Sequence, residues 1–464
     1  MFDLDLSTPV HAHFIGIGGI SMSGLAVILK DKGFKVSGSD RAAGEVTKRL
    51  EAQGIRVYIG NDPKNLEDRP DVVIATAAIH PDNPEYARAK ELNIPILTRA
   101  ELLGSIMGGY ETSIGVAGTH GKTTTTSMLT YILMEAEKDP TVSVGGMLGL
   151  IGGNIRVGGE KVFLTEACEY TNSFLSFKPT MEVILNVEAD HLDFFKDIDD
   201  IRNSFNRFAR LLPEDGTLAI SSAIRDPGEI LNGVTCKTVL TFGEKGCSDI
   251  YYENETLRKD GCYDFTVRAK GCAIDGMKVS LNVPGVHNIL NSLGAIAIAG
   301  ALEISPDVIS ASLSHFFGTE RRFQLKGTYK GAKVIDDYAH HPQEITATLS
   351  AAKNMGRIVL IFQPHTYSRT KALFNDFASS LSAADEVILA PIYAARETDT
   401  LGMDSKLLAD AVSALGTNAA GFDSFSEIKE HIKKIARPGD LIITMGAGDV
   451  YKIGEDLIND TDKD

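Results

Sequence analysis

The run Gly118-Thr119-His120-Gly121-Lys122-Thr123-Thr124 carries the clearest chemistry in this chain. An apolar stretch, Ile114 to Ala117, precedes it, and a helical pattern with Met128, Leu129, Ile132 and Leu133 on one side follows. Strand, glycine loop and helix in that order make a phosphate cradle. The glycines let backbone N–H groups approach phosphate oxygens, a lysine reaches the β- and γ-phosphates, and the hydroxyl beside it holds Mg²⁺. Lys122 and Thr123 fall at those two places, although Val116 stands where the full pattern has its first glycine, so the loop is tighter.

Other polar residues sit at the ends of apolar runs. Glu166 closes Val162–Thr165, and His191 follows Val183–Asn186. Ligands of an open α/β sheet collect at the C-terminal edge of its strands, so both are expected beside the loop. With Thr123 they could coordinate the metal of a bound ATP, with Asp190 and Asp193 as caps or supports. A second glycine loop, Gly16-Ile17-Gly18-Gly19-Ile20-Ser21, ends the first strand and opens a helix through Met22 and Ser23, and Asp40 ends the second strand. This resembles a dinucleotide fingerprint, incomplete because Ser21 stands where its third glycine belongs. It supports a pyrophosphate on a helix N-terminus and leaves an NAD-dependent dehydrogenase as an alternative. Arg321 and Arg322 stand at a domain junction, from which an arginine can reach a γ-phosphate as charge develops. The clusters Asp336-Asp337-Tyr338-Ala339-His340-His341-Pro342 and Gln363-Pro364-His365-Thr366-Tyr367-Ser368-Arg369 each follow a strand. Their density of imidazole, phenol and guanidinium points to a pocket for a small charged ligand.

The elements that must position these groups read as an α/β protein. At 464 residues the length suggests about three domains. Strands at His13–Ile17, Lys35–Gly38, Val57–Ile59, Val72–Thr76 and Pro95–Leu97 alternate with helices, which predicts a Rossmann-like N-terminal domain over residues 1–110. A central phosphate-loop ATPase domain is expected over 111–317. Its alternating stretches Tyr263–Arg268 and Lys278–Val283 predict an antiparallel side ribbon, and it closes on Pro284–Asn291 and a helix at Ser292–Leu302. A second Rossmann-like domain, 318–464, carries strands at Val334–Tyr338, Ile358–Phe362, Glu386–Ala390 and Leu441–Met445, and its tail from Glu455 is expected to fray.

Composition narrows the function classes. A net charge of −16 argues against a general nucleic-acid or membrane-surface binder. Met1–Pro9 lacks a basic flank and an apolar core, so no signal peptide is expected, and no run approaches the roughly 20 apolar residues of a membrane span. Five cysteines without Cys-x-x-Cys spacing read as reduced thiols of a cytoplasmic protein, Cys168 among them as a packing residue.

Taken together the segments resemble the Mur ligase family over essentially the whole chain, in order. The resemblance rests on His13–Gly19 with Met22-Ser23-Gly24, Gly118–Thr124, Glu166 and His191, Gly285–Asn291, Arg321-Arg322-Phe323, Asp336–Pro342 and Phe362–Thr370. The Asp-Asp-Tyr-x-His-His-Pro and Phe-Gln-Pro-His stretches belong to its alanine-adding branch. The resemblance implies a ligase that uses ATP and Mg²⁺ to join L-alanine to the carboxylate of UDP-N-acetylmuramate through an acyl phosphate. A ligase attaching a recycled murein tripeptide is the alternative. The implied partners are these small molecules, with no nucleic acid and no membrane, for a monomer or homodimer.

The implied roles are as follows. The first domain holds the UDP moiety through Gly16, Gly18, Gly19, Ser21, Met22, Ser23 and Asp40. The second holds ATP through Gly118, Thr119, His120, Gly121, Lys122, Thr123 and Thr124, joined by His287, Asn288, Asn291, Arg322 and Asp337. Thr123, Glu166 and His191 are the implied metal ligands; Lys122, Glu166, His191 and Arg322 the catalytic groups. Tyr338, His340, His365 and Arg369 line the amino-acid and muramoyl end in a lid-like third domain. Three departures from the family pattern are Ser21 for glycine, Glu166-Ala167-Cys168-Glu169-Tyr170 for Glu-Ala-Asp-Glu-Ser, and Thr366 for arginine. No lysine occurs from Asp197 through Cys236, so direct or water-mediated metal binding is expected in place of a carbamylated-lysine bridge.

Overall fold

The computed structural model describes residues 4–76, 79–192, 194–395, 397–399 and 401–461, so Asp193 and the last three residues lie outside the described residues. The fold has three α/β domains built on mainly parallel sheets, and the chain divides into two compact units. One comprises Met1–Tyr252, Val267–Met277 and Leu290–Ser312, the other Glu253–Thr266, Lys278–Ile289 and Leu313–Asp464.

In the first unit, β1 (His11–Ile15), β2 (Lys35–Asp40), β3 (Arg56–Ile59), β4 (Val72–Ala75) and β5 (Ile96–Thr98) form a parallel sheet in the order β3-β2-β1-β4-β5. The order reverses between β1 and β4, which opens a crevice at the end of β1 where the first glycine loop begins. The central strands are β6 (Thr112–Ala117), β7 (Thr141–Leu148), β8 (Gly153–Arg156), β9 (Val162–Ala167), β10 (Met181–Ile184), β11 (Thr217–Ser221) and β12 (Thr238–Gly243), in the order β12-β11-β10-β6-β9-β7-β8. All pairings there are parallel except β7 with β8. β6 therefore lies between β10 and β9, and its register sets Val116 beside Glu166 and Ala117 beside Ile184. The helix Ile20–Asp31 comes so close to β8 that a Cβ on Gly24 would overlap the side chain of Ile155. Only glycine permits that approach, which ties the first glycine loop to the central sheet.

The chain continues through β13 (Ile250–Leu257) to β14 (Tyr263–Arg268) and β15 (Lys278–Ser280), which pair antiparallel as the expected ribbon. The second unit holds β16 (Gln324–Tyr329), β17 (Ala332–Asp337), β18 (Ile358–Phe362), β19 (Glu386–Leu389), β20 (Asn418–Gly421) and β21 (Leu441–Met445), in the order β16-β17-β21-β18-β19-β20. The sequence reads as if the ends of β17 and β18 were adjacent, but β21 runs between them: Met445 is in register with Asp337 on one side and Phe362 on the other. Two further expectations are corrected. The helix expected from Ser292 begins at Val286, so His287, Asn288 and Asn291 lie on its first turns. Residues 455–461 continue the helix Tyr451–Thr461 and do not fray; buried Ile453 and Leu457 anchor it on the core formed with Val334 and Ile442.

One core residue works against the fold. Glu182 of β10 is fully buried, in register with Gly115 and Leu218 on the face covered by Phe208, and neither carboxyl oxygen has a hydrogen-bond partner. Burial raises its pKa well above the ordinary value of 4.5. The unfolded chain ionises this group above that ordinary value while the folded chain resists, so stability is full below it and falls as pH rises toward the folded pKa. Glu182→Met is expected to stabilise the protein by an amount on the order of 1–3 kcal/mol at pH 8 and to be near neutral at pH 4. Denaturant midpoints of both proteins at the two pH values measure this, and an equal difference at both would contradict it.

Candidate active site

The phosphate loop joins β6 to the helix Lys122–Glu135. Gly121 caps that helix with φ +85°, a left-handed conformation open to glycine at little cost, and a Cβ there would strike the Asn291 amide. The helix start leaves the first-turn N–H groups of Lys122, Thr123 and Thr124 without a carbonyl one turn earlier, so they face the loop mouth as anion donors. Asn186, just past β10, fixes the loop from the side. Its Oδ1 accepts from the His120 N–H at 2.7 Å, its Nδ2 donates to the His120 carbonyl at 3.0 Å, and its own carbonyl accepts from Thr119 at 3.2 Å.

Lys122 is held from two directions. Its Nζ donates to the carbonyls of Gly118 at 2.5 Å and Thr119 at 3.2 Å, and to the carboxylate of Glu169 at 3.0 Å. Burial works to lower its pKa, but the charge and hydrogen bond of Glu169, with Cys168 and Glu166 adding to it, raise it well above the ordinary lysine value. The ammonium is thus charged at any physiological pH. Glu169 was not among the residues singled out in the sequence. It is 2 % exposed, and His191 Nε2 stands 3.9 Å from its other oxygen. The signal that could have found it is a second acid three residues past Glu166 on a loop facing a phosphate-loop lysine.

Glu166 and His191 both border this centre, from β9 and from beyond β10. Glu166 Oε1 accepts from the Gly145 N–H at 2.5 Å. A Cβ on Gly145 would meet the Glu166 carboxylate at 2.7 Å, and one on Gly146 would meet Thr123 Cγ2 at 3.2 Å, so the two glycines leave space over both residues. His191 has φ +54°, its N–H bonds Asp190 Oδ1 at 2.7 Å, and its ring lies 4.5 Å from that of Tyr170. Among the described residues no three metal-binding side chains form a preformed cluster. Cys168 is half-buried next to Lys122, and burial pushes its thiol up, which disfavours the reactive thiolate.

The first glycine loop is braced internally. Asp40 Oδ2 accepts from the Gly18 N–H at 2.8 Å, while Gly16 and Ile17 donate to the Ser39 carbonyl and Gly19 to that of Gly16. Ser23 bonds back to Ile20 through its hydroxyl at 2.9 Å, and Met22 is buried beneath the helix start. Ser21 accepts a hydrogen bond from Arg99 at 3.2 Å.

In the second unit the two clusters converge although β21 separates their strands. The rings of Tyr338 and His340 are 5.3 Å apart, those of His340 and His365 5.8 Å, and Arg369 Nη1 is 3.4 Å from His365 Nδ1. Burial, helped by His340 and Arg369, holds His365 down at about 4, and burial lowers His340 as well, so both imidazoles are neutral near pH 7. Thr366, between His365 and Tyr367, has φ +64° and ψ 147°, a costly conformation for a β-branched residue, of order 1–3 kcal/mol. Asp337 is buried, its oxygens accepting from Ala339 and Phe323, and burial pushes it up to about 6 against the pull of Arg322. Arg321 is spent on Asp336 at 2.9 Å, whereas Arg322 lies over the Tyr338 ring and 3.7 Å from Glu344. His287, held at about 4 by burial and then Arg322, lines a cavity of about 740 Å³ with Arg258, Tyr263, Gln343 and Ala347. Asn288 donates to the Pro284 carbonyl, and in the first unit the Asn291 carbonyl accepts from Thr125.

Three family models match this chain: the Mur ligase family catalytic domain over residues 11–111, the Mur ligase middle domain over 116–299 and the Mur ligase glutamate ligase domain over 321–448. A UDP-N-acetylmuramate–L-alanine ligase of Lachnospira eligens is 54 % identical over 464 residues, covering 99 % of this chain and 100 % of that one. The chain belongs to the Mur ligase family. A second relative of the same name, from Agathobacter rectalis, is 53 % identical over 460 residues, with 99 % and 100 % covered. Among solved structures, the UDP-N-acetylmuramate–alanine ligase of Thermotoga maritima superposes with a TM-score of 0.79 at 29 % identity, over 98 % of this chain and 99 % of that one. A murein peptide ligase of Psychrobacter arcticus gives 0.69 at 26 %, over 97 % and 98 %. The Mur ligase architecture thus accounts for all three sheets.

The ion pair yields a test. Glu169→Gln leaves the largely buried Lys122 ammonium without its hydrogen-bonded counter-charge and is expected to cost about 1.5–3 kcal/mol. The loss should shrink when millimolar ATP supplies a replacement anion. Thermal midpoints with and without nucleotide measure both effects, and a nucleotide-independent loss would contradict this account.

Proposed function

We propose that this Mur ligase joins L-alanine to the lactyl carboxylate of UDP-N-acetylmuramate, converting ATP to ADP and phosphate, as a step of peptidoglycan precursor synthesis in the cytoplasm. The observation that carries the reading is the full-length, 54 % identity to a chain of that name. A charged, desolvated Lys122 in a finished phosphate loop supports it chemically. No helix among the described residues is long and apolar enough to cross a membrane. Domain limits of 1–110, 111–317 and 318–464, and a monomer or homodimer, are part of the proposal.

A carboxylate is a poor electrophile and must first be activated. Its oxygen attacks the γ-phosphorus, the bond to the ADP oxygen breaks, and an acyl phosphate forms. Alanine, once its ammonium has given a proton to solvent, attacks the carbonyl carbon through the free amine. The tetrahedral adduct expels phosphate with the C–O electron pair, and the extra proton on nitrogen passes to the departing phosphate or to water. The first step brings two anions together, so Lys122 and Arg322 are assigned to screen them and to steady the charge of the in-line transition state. Thr123 and Glu166 offer the oxygen donors a hard cation takes, with Gly145 and Gly146 leaving room over them, and His191 completes the set. Magnesium there neutralises phosphate oxygens when bound. Gly16, Gly18, Gly19, Ser21, Met22, Ser23 and Asp40 form the site of the UDP moiety. His287, Asn288 and Asn291 contact the nucleotide, and Asp337 its ribose. Tyr338, His340, His365 and Arg369 receive the amino acid. A neutral His365 can accept a hydrogen bond from the ammonium group of alanine, and Arg369 can hold its carboxylate.

The likeness to a murein peptide ligase favours a second reading, attachment of a recycled peptide to the same nucleotide sugar. Phosphate release with ATP, UDP-N-acetylmuramate and either L-alanine or the tripeptide separates the two. Turnover with L-alanine, abolished by Lys122→Ala, is expected; turnover with the tripeptide alone would overturn the main reading. A pH profile adds a check. His365 stays uncharged from pH 6 to 9, so His365→Gln should lower kcat/KM for alanine at every pH in that range without moving the profile's inflections. A shifted inflection would show that His365 titrates there.

A further inference from the structure

Arg99 opens the helix Arg99–Met107 that follows β5, and its half-buried guanidinium points to the start of the helix Ile20–Asp31. Nη1 donates to Ser21 Oγ at 3.2 Å. No carboxylate among the described residues pairs with it; it also faces the thiol of Cys168, which burial keeps protonated, in the segment that carries Glu166 and Glu169. Burial bears on this guanidinium and lowers its pKa, yet an arginine cannot shed its proton at neutral pH. A desolvated cation without a counter-ion is unfavourable unless an anion arrives.

The adjoining loop has little else to offer such an anion. The N–H groups of Gly16, Ile17, Gly18 and Gly19 are all spent on Ser39, Asp40 and Gly16. Ser23 begins the intrahelical bonds by donating to Gly19, which leaves the first-turn N–H groups of Ile20, Ser21 and Met22 as the backbone donors. Three amides on one turn can face one phosphate group. A diphosphate needs a second donor on its far side, and Arg99, fixed on the Ser21 hydroxyl and directed toward the Cys168 segment, is the charged group at that position.

We propose that Arg99 is a substrate-binding residue that grips the diphosphate of the uridine nucleotide, and so sets how far the attached sugar acid reaches toward the Lys122 loop. This rests on the ligase reading above. The fork geometry of a guanidinium suits two phosphate oxygens at once, which a lysine cannot match.

Calorimetry with UDP-N-acetylmuramate, UDP, UMP and ATP tests it on the intact protein, its Arg99→Ala variant and its Arg99→Lys variant. The alanine variant should bind UDP and UDP-N-acetylmuramate about 10- to 100-fold more weakly, with UMP and ATP changed less than about twofold. The lysine variant should fall between. Because the cation has no carboxylate partner, the thermal midpoint of the alanine variant should not drop. A UDP-to-UMP preference equal in all three proteins would overturn the assignment, and so would a uniform loss across UDP, UMP and ATP, which marks a merely structural role. Turnover of the unaltered protein with L-alanine separates the two levels. If it turns over and the variants bind UDP as it does, only the role of Arg99 fails. If it neither turns over nor binds uridine nucleotides, the ligase reading fails and this inference with it.

Discussion

A lysine ammonium buried against a loop must be neutralised whether or not a nucleotide is present, and the arrangement around Lys122 answers that requirement. Glu169 supplies the charge, and the carbonyls of Gly118 and Thr119 take the remaining protons. The loop therefore has its shape in advance. A triphosphate meets a lysine already stripped of water and already charged, and it competes with a carboxylate for that lysine. The competition sets a ceiling on how tightly any anion can be held there, because part of its attraction is used to replace Glu169. It also explains why Glu169 is so thoroughly buried. An exposed acid would be screened and could not keep the lysine charged.

The same logic runs through the other polar groups. Cations without full acid partners, Arg99 and Arg322, stand where anionic groups are expected, whereas Arg321 is neutralised by Asp336 and is structural. The imidazoles of His340 and His365 are kept neutral by burial and by cationic neighbours, so they add polarity without adding charge. On the proposed reading, charge is fixed in advance at the phosphate sites and withheld at the amine site.

Much of this was legible in the chain. Strand, loop and helix around Lys122 follow from the apolar run, the glycines and the helical period, and strands such as Tyr263–Arg268, Ile358–Phe362 and Leu441–Met445 have the limits their patterns suggest. The edge strands were not legible. β7 and β8 are glycine-rich and β20 reads Asn-Ala-Ala-Gly, so neither apolar runs nor alternation mark them. Non-local pairing was the other blind spot. Nothing in the sequence says that β21, formed about 80 residues later, inserts between β17 and β18, yet the rings of Tyr338, His340 and His365 still meet because loops past the strands carry them together. Glu169 escaped notice because one more acid in a polar loop is unremarkable until the lysine it faces is known.

Asp40 invites a last reflection. In dinucleotide enzymes the acid ending the second strand turns outward to a ribose hydroxyl. Here one of its oxygens is bent back onto the amide of Gly18. A carboxylate engaged in stiffening its own loop has less to give a sugar, so a nicotinamide nucleotide would find the handle it relies on already taken. The same hydrogen bond leaves a ligand little backbone freedom to quench on arrival, and selectivity in this domain then falls to whichever groups read the base and the phosphates.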